Sequence, residues 1–247
     1  MRVYILLFIL LVSGFIWNYI SRGGDGNGGG DGNGDSVGND CCVLHDCPSL
    51  QGQQTGEYWA QHSVDLIDTF IEQNGPFHGI LGYSQGGAMV VSYLALTPRS
   101  PHPLFNFAII ISGYKMTSHA GILSRIDSAE ANRFDMPSLL YITENDSIIT
   151  PDMTIDAGNR FPSHNQIVVR NLTADGHSLP PPNQAEIDRF INARKNELGG
   201  SLNILCLHGG GGNAASFEAE LGMQYTGVQF SYLDATASLW VCDPPNK

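Results

Sequence analysis

Apolar residues follow one another along this chain in two rhythms. Short apolar runs at 79–83, 107–112 and 202–207 have the length of buried strands, and the runs at 138–143 and 166–172 read as two further strands. Other stretches place apolar side chains three or four residues apart, the spacing of one helix face. Residues 57–74 do so with Val64, Ile67, Phe70 and Ile71, and 183–198 with Ile187, Phe190 and Ile191. The first of these helices ends at Gly75-Pro76 and the second at Gly199, both ordinary stop signals. Further helices are predicted at 85–96, ending before Pro98, at 127–133 and near 151–160, where Thr150 and Pro151 read as N-cap and first helical position. Strands alternating with helices predict an α/β fold: about six mostly parallel strands with helices covering both faces.

The first 47 residues follow neither rhythm. Val3 to Tyr19 is apolar except for Ser13, Gly14 and Asn18, long enough to reach across a bilayer, and Arg2 precedes it. Residues 1–21 therefore read as a signal peptide or, lacking a small-x-small cleavage site, a signal-anchor that leaves the rest of the chain luminal or exterior. That predicts a membrane-anchored or secretory-pathway protein, with a cytoplasmic protein as the alternative. Residues 22–47 begin with so much Gly, Asp and Asn that they predict a flexible tether, and the Asp-Gly-Asn repeats lack the ligand ladder and closing Glu of an EF-hand. Two further segments complete the expected organisation: a core at 48–200 and a C-terminal piece at 201–247.

Charge narrows the function. The formal net charge is −12, with 12 Lys plus Arg against 24 Asp plus Glu, so no basic stripe is available for a nucleic-acid backbone. The cysteines, Cys41, Cys42, Cys47, Cys206 and Cys242, show no Cys-x-x-Cys or Cys/His metal spacing, and His45 is a weak zinc signal only. Neither a metal nor a cofactor is expected.

The chemistry begins at Gly82-Tyr83-Ser84-Gln85-Gly86, at the junction of a predicted strand and helix. A Gly-x-Ser-x-Gly there is a nucleophile elbow: the turn is tight enough to require glycine on both sides of the serine, whose hydroxyl is thrust out at the helix N-terminus. The backbone N–H of Gln85 faces the same space as one half of an oxyanion hole. An ordinary small-residue turn would not need the flanking strand and helix. Such a serine calls for an acid and then a histidine on loops leaving later strands. Glu144, Asp146 and Asp152 compete for the acid. Glu144 follows its strand too closely to reach across a loop, and Asp152 reads as a first-turn helix carboxylate, so Asp146 is expected. His177, between Gly176 and the prolines that follow, is the expected histidine.

After the run at 202–207 comes His208-Gly209-Gly210-Gly211-Gly212. A glycine loop after a strand can present the second oxyanion N–H, here from Gly209 or Gly210, whereas a phosphate-binding P-loop would require a Gly-Lys-Ser/Thr ending that is absent. Tyr83 and Trp240 are candidate substrate-binding side chains, Trp240 with Leu239, Pro244 and Pro245, although core packing accounts for either aromatic.

Taken together, GPFHGILGYSQG at 75–86, the acid after its strand, Gly176-His177 before proline, LNILCLHGGGGNAASFEAELG at 202–222 and VQFSYLDATASLWVCDPPNK at 228–247 resemble the FSH family of small α/β serine hydrolases. That family includes the ovarian-cancer-associated-gene-2-type hydrolases. The resemblance spans 48–247 and implies the α/β-hydrolase fold, a Ser84–His177–Asp146 triad and an ester or thioester substrate. The order departs from the family, in which a segment like 201–247 comes first. Circular permutation or the remnants of a tandem pair, including those left by a faulty gene model, would produce this order. In either case the strand at 202–207 is expected beside the elbow strand. The rival expectations are a catalytically inactive hydrolase-like binding module, an incomplete gene product, or a hydrolase of the dienelactone-hydrolase or lysophospholipase type.

Overall fold

A computed structural model of the chain describes residues 55–96, 104–116 and 134–234. These all belong to the second of two compact units, Asn39–Lys247. The expected signal or anchor segment at 1–21, the tether at 22–47, the helix at 127–133, and Trp240 with Leu239 and the prolines beside it lie outside the described residues. Among the described residues, no helix is long and apolar enough to cross a membrane.

The described chain runs α1 (Thr55–Asn74), β1 (Gly79–Tyr83), α2 (Gln85–Leu96), β2 (Phe107–Ile111), β3 (Ser138–Asn145), α3 (Pro151–Gly158), β4 (Gln166–Asp175), α4 (Ala185–Glu197), β5 (Leu202–Leu207), α5 (Ala214–Leu221) and β6 (Val228–Leu233). The six strands form one sheet in the order β4-β3-β2-β1-β5-β6, and every adjacent pair is parallel. This is the parallel α/β architecture expected from the alternating pattern, and it is the α/β-hydrolase fold that the family resemblance implies.

Successive strand residues point to opposite faces, so the apolar runs of β1, β2, β3 and β5 each supply two cores, whereas the edge strand β4 buries Val169 and leaves Ile167, Val168 and Leu172 exposed. Ile80, Ile110, Leu140 and Leu205 face α1, α2 and the end of α3, packing with Val64, Ile67, Met89, Val90 and Ala157. Leu81, Ile109, Tyr141 and Ile204 face α4 and α5, packing with Ile187, Phe190, Ile191, Phe217 and Leu221. Burial of each such side chain contributes about 1.5–3 kcal/mol.

The C-terminal segment supplies the strand beside the elbow strand. β5 pairs with β1 from Gly79↔Ile204 to Gly82↔Leu207, and β6 continues the sheet beyond it. His78 pins the start of β5: its N–H donates to the Asn203 carbonyl (2.7 Å) and its Nδ1 accepts the Asn203 N–H (2.9 Å). Tyr225 donates to Asp188 Oδ1 (2.6 Å) and Lys195 to the Thr226 carbonyl, tying the segment to α4. The connection turns at Gly199 and Gly200, with φ of 91° and 95°, a backbone region that side chains disfavour.

β1 and β5 are adjacent, yet the helices that follow them lie on opposite faces, α2 in one core and α5 in the other. The carboxyl ends of these two strands are therefore the topological switch point of the sheet, the place at which open α/β sheets bind ligands.

Differences from expectation lie at element ends. β3 and β4 run to Asn145 and Asp175 because a register shift between Thr143 and Asn145 lets pairing resume. Ser112 leaves β2 by adopting φ of 42°. Thr150 caps α3 in position only: its side chain makes no cap bond, and its carbonyl accepts from Met153 and Thr154 instead.

Candidate active site

Ser84 lies between β1 and α2 with φ of 54°, a conformation costing a non-glycine residue on the order of 1–3 kcal/mol. Its N–H donates to the Ile111 carbonyl (2.9 Å) and its carbonyl accepts from Ala88 (3.0 Å), so the strained residue is held from both neighbouring elements. The flanking glycines have no room for a side chain. A Cβ on Gly82 would lie 2.3 Å from the Gly86 carbonyl oxygen, and one on Gly86 would lie 2.2 Å from the Leu207 oxygen and 2.5 Å from that of His208. The second clash shows that the elbow is packed directly against the end of β5.

Asp146 follows β3 and is buried. Its Oδ1 accepts the N–H groups of Ile148 and Ile149, each at 2.9 Å, and its Oδ2 lies 2.6 Å from His177 Nδ1. Burial pushes this carboxyl upward, but the hydrogen bonds from His177, Ile149 and Ile148 and the attraction of His177 outweigh it and hold Asp146 below its usual value. Against an ionised carboxylate, Nδ1 of His177 carries the proton, leaving Nε2 of the neutral ring as an acceptor. Nε2 is buried and has no hydrogen-bond partner. Of the competing acids, Glu144 pairs with Arg170 (2.6 Å) and Asp152 occupies the first turn of α3.

Tyr83 reaches the histidine from the elbow itself. Its ring stacks on that of His177 with centroids 4.9 Å apart and an interplanar angle of 20°, and its hydroxyl donates to the His177 carbonyl (3.2 Å). The aromatic contacts continue from Tyr83 to Phe217 of α5 (6.2 Å) and from Phe217 to Tyr232 of β6 (5.8 Å). Burial first, then the charges of Asp146 and Glu220, raises the Tyr83 phenol, so its hydroxyl remains a donor.

The glycine loop after β5 lies over the elbow. A Cβ on Gly209 would come within 3.2 Å of Ser84 Cβ, and one on Gly210 within 2.8 Å of Gln85 Oε1. The Gly209 carbonyl is engaged by buried His208 Nδ1 (2.7 Å) and by the Gly212 N–H (3.3 Å). Asn213 then starts α5 with a reciprocal capping box to Ser216. Gln85 is itself buried at the start of α2.

Sequence reading named His208 only as the first residue of the glycine loop and gave no role to Phe217 or Asn171. Asn171 Oδ1 accepts from the Thr173 N–H (3.0 Å), the Thr173 hydroxyl (3.0 Å) and the Ala174 N–H (3.1 Å), while its Nδ2 donates to the Tyr141 hydroxyl (2.6 Å). This turn shapes the irregular end of β4, from which the His177 loop departs. An Asn followed two residues later by Thr inside an apolar run was the available signal.

Comparison with known proteins bears on this arrangement. The profile described as serine hydrolase (FSH1) matches residues 49–188, more than half of the chain. The chain belongs to the FSH1 serine hydrolase family. Relatives of this FSH1-family chain include Esterase OVCA2 of Danio rerio, 31% identical over 49% of this chain and 50% of that protein. Esterase OVCA2 of Xenopus tropicalis is 32% identical over 47% of each, and Esterase alnB of Emericella nidulans 47% identical over 21% of this chain and 19% of its own. The chain thus spans about half the length of the curated OVCA2 relatives it matches. Among solved structures it is similar to Zea mays acyl-protein thioesterase 2, with a TM-score of 0.42 and 18% identity over 56% of this chain and 65% of that one. The family match includes the elbow, Asp146 and His177 and ends before β5.

Proposed function

We propose that this FSH1-family chain is a serine hydrolase that cleaves carboxylic esters or thioesters through an acyl-enzyme. Ser84 is the nucleophile, His177 the general base and then the general acid, and Asp146 the carboxylate that orients the imidazole. The observation that carries this reading is the Asp146–His177 pair at 2.6 Å with Nε2 left unpartnered, on the loop that Tyr83 holds against the elbow.

In the reaction, Nε2 accepts the Ser84 proton as Oγ attacks the acyl carbonyl, and the imidazolium returns that proton to the departing alcohol or thiol. Water, deprotonated in turn by His177, then attacks the acyl-serine and releases the acid. The tetrahedral oxyanion is held by the Gln85 N–H and by the glycine loop. Gly210 is the loop donor: the Gly209 carbonyl is bound on the loop side by His208 and Gly212, and the N–H of the same planar peptide faces the opposite way. Each such donor is worth about 10²- to 10³-fold in rate. In this reading residues 201–234 complete the site from the far end of the chain, and the chemistry calls for no cofactor. Relatives that carry the name esterase support a small acyl ester as substrate.

The test is labelling of the full chain with a fluorophosphonate, alongside Ser84→Ala. Labelling of the parent that disappears in Ser84→Ala is the expected result. A folded parent that does not label overturns the reading and leaves a binding module.

A further inference from the structure

His177 stands on a loop, and its bond to Asp146 restrains only one ring atom. An imidazole held at Nδ1 alone can still swing about the Nδ1···Oδ2 line and carry Nε2 away from Ser84. Two further contacts, both from Tyr83, remove that freedom. The near-parallel stack at 4.9 Å and 20° fixes the plane of the ring, and the hydroxyl bond to the His177 carbonyl at 3.2 Å fixes the backbone beneath it. Tyr83 immediately precedes Ser84, so the nucleophile and the brace of its base belong to one rigid dipeptide at the end of β1. The brace is backed in turn by Phe217 and Tyr232 of the C-terminal segment.

Resting on the hydrolase reading above, we infer that Tyr83 is a positioning residue that holds the ring and backbone of His177 so that Nε2 stays aimed at Ser84. Its side chain acts on the turnover step through His177, and substrate affinity is not its task.

Two variants of the full chain test this, with p-nitrophenyl butyrate as the probe and active sites counted by the fluorophosphonate so that rates refer to folded, competent molecules. Tyr83→Phe keeps the stack and loses the hydroxyl. Its kcat falls about 3- to 10-fold with KM unchanged, as expected for one neutral hydrogen bond. Tyr83→Leu loses both contacts, and kcat falls about 10²-fold, the scale of a base displaced by roughly 1 Å. Most of that loss is therefore recovered in the Phe variant. Should kcat per titrated site in both variants stay within about twofold of the parent, or should KM alone change, the inference is wrong and Tyr83 is packing or a substrate contact. If instead the folded parent fails to label, the hydrolase reading falls and takes this inference with it. The Phe variant, nearly isosteric, keeps the test decisive where Leu does not fold.

Discussion

Gly86→Ala tests whether the C-terminal strand completes the sheet at the elbow. The added Cβ would lie 2.2 Å from the Leu207 oxygen, whereas ordinary contact begins at 3.4 Å, so β5 and α2 must separate by about 1.2 Å at that point. Overpacking of this kind costs about 1–3 kcal/mol where side chains can adjust. Here the obstructing atoms are backbone carbonyls of Leu207 and His208 that cannot rotate away, which places the cost at the upper end. Alanine returns about 1 kcal/mol of helix propensity at this helical position, leaving a net destabilisation of about 2 kcal/mol. The same displacement lifts the glycine loop from Ser84, and a shift of about 1 Å costs around 10²-fold in rate. Urea denaturation of the full chain measures the first quantity, and fluorophosphonate labelling rate per folded molecule measures the second. If Gly86→Ala proves as stable and as fast as the parent, β5 does not dock against the elbow, and the complete-sheet argument fails.

Two other perturbations probe the acid and the bulge. Asp146 titrates below its ordinary value in the folded protein, so its stabilisation is present above the ordinary value of 3.8 and is lost as pH falls through the folded value. The parent's thermal midpoint should therefore decline below about pH 4. Asp146→Asn should lack that component of the decline and lose on the order of 10⁴-fold in kcat; equal pH profiles for parent and variant would refute the assignment. Asn171→Ala removes the acceptor of three hydrogen bonds and the donor to Tyr141, so it should cost about 1–3 kcal/mol. It should also speed hydrogen exchange at Thr173 and Ala174 and lower kcat with KM unchanged; unchanged exchange would show that Asn171 does not hold the bulge.

Much of this molecule is legible from neighbours in sequence. The run at 79–83 and the glycines two positions either side of Ser84 announce a strand, a sharp turn and a helix, because backbone strain and apolar period are local properties. Asp146 stood out from Glu144 and Asp152 for the same reason, by its place in the loop after a strand. What stayed hidden depends on residues far apart in the chain. The pairing of His78 with Asn203, which pins the start of β5, spans 125 residues. The aromatic contacts running through His177, Tyr83, Phe217 and Tyr232 join the loop after β4 to β1, α5 and β6, and no local rhythm encodes them.

By itself the sequence determined that LNILCL would be a strand buried on both faces, since six apolar or amide side chains with no polar face can do little else. It carried no instruction, in its own period, about which strand would lie beside it. The family resemblance led to the expectation that β5 would lie beside β1, and only the tertiary structure decided how closely the two meet: Gly86 of α2, having no side chain, lets the Leu207 and His208 carbonyls pack directly against the elbow.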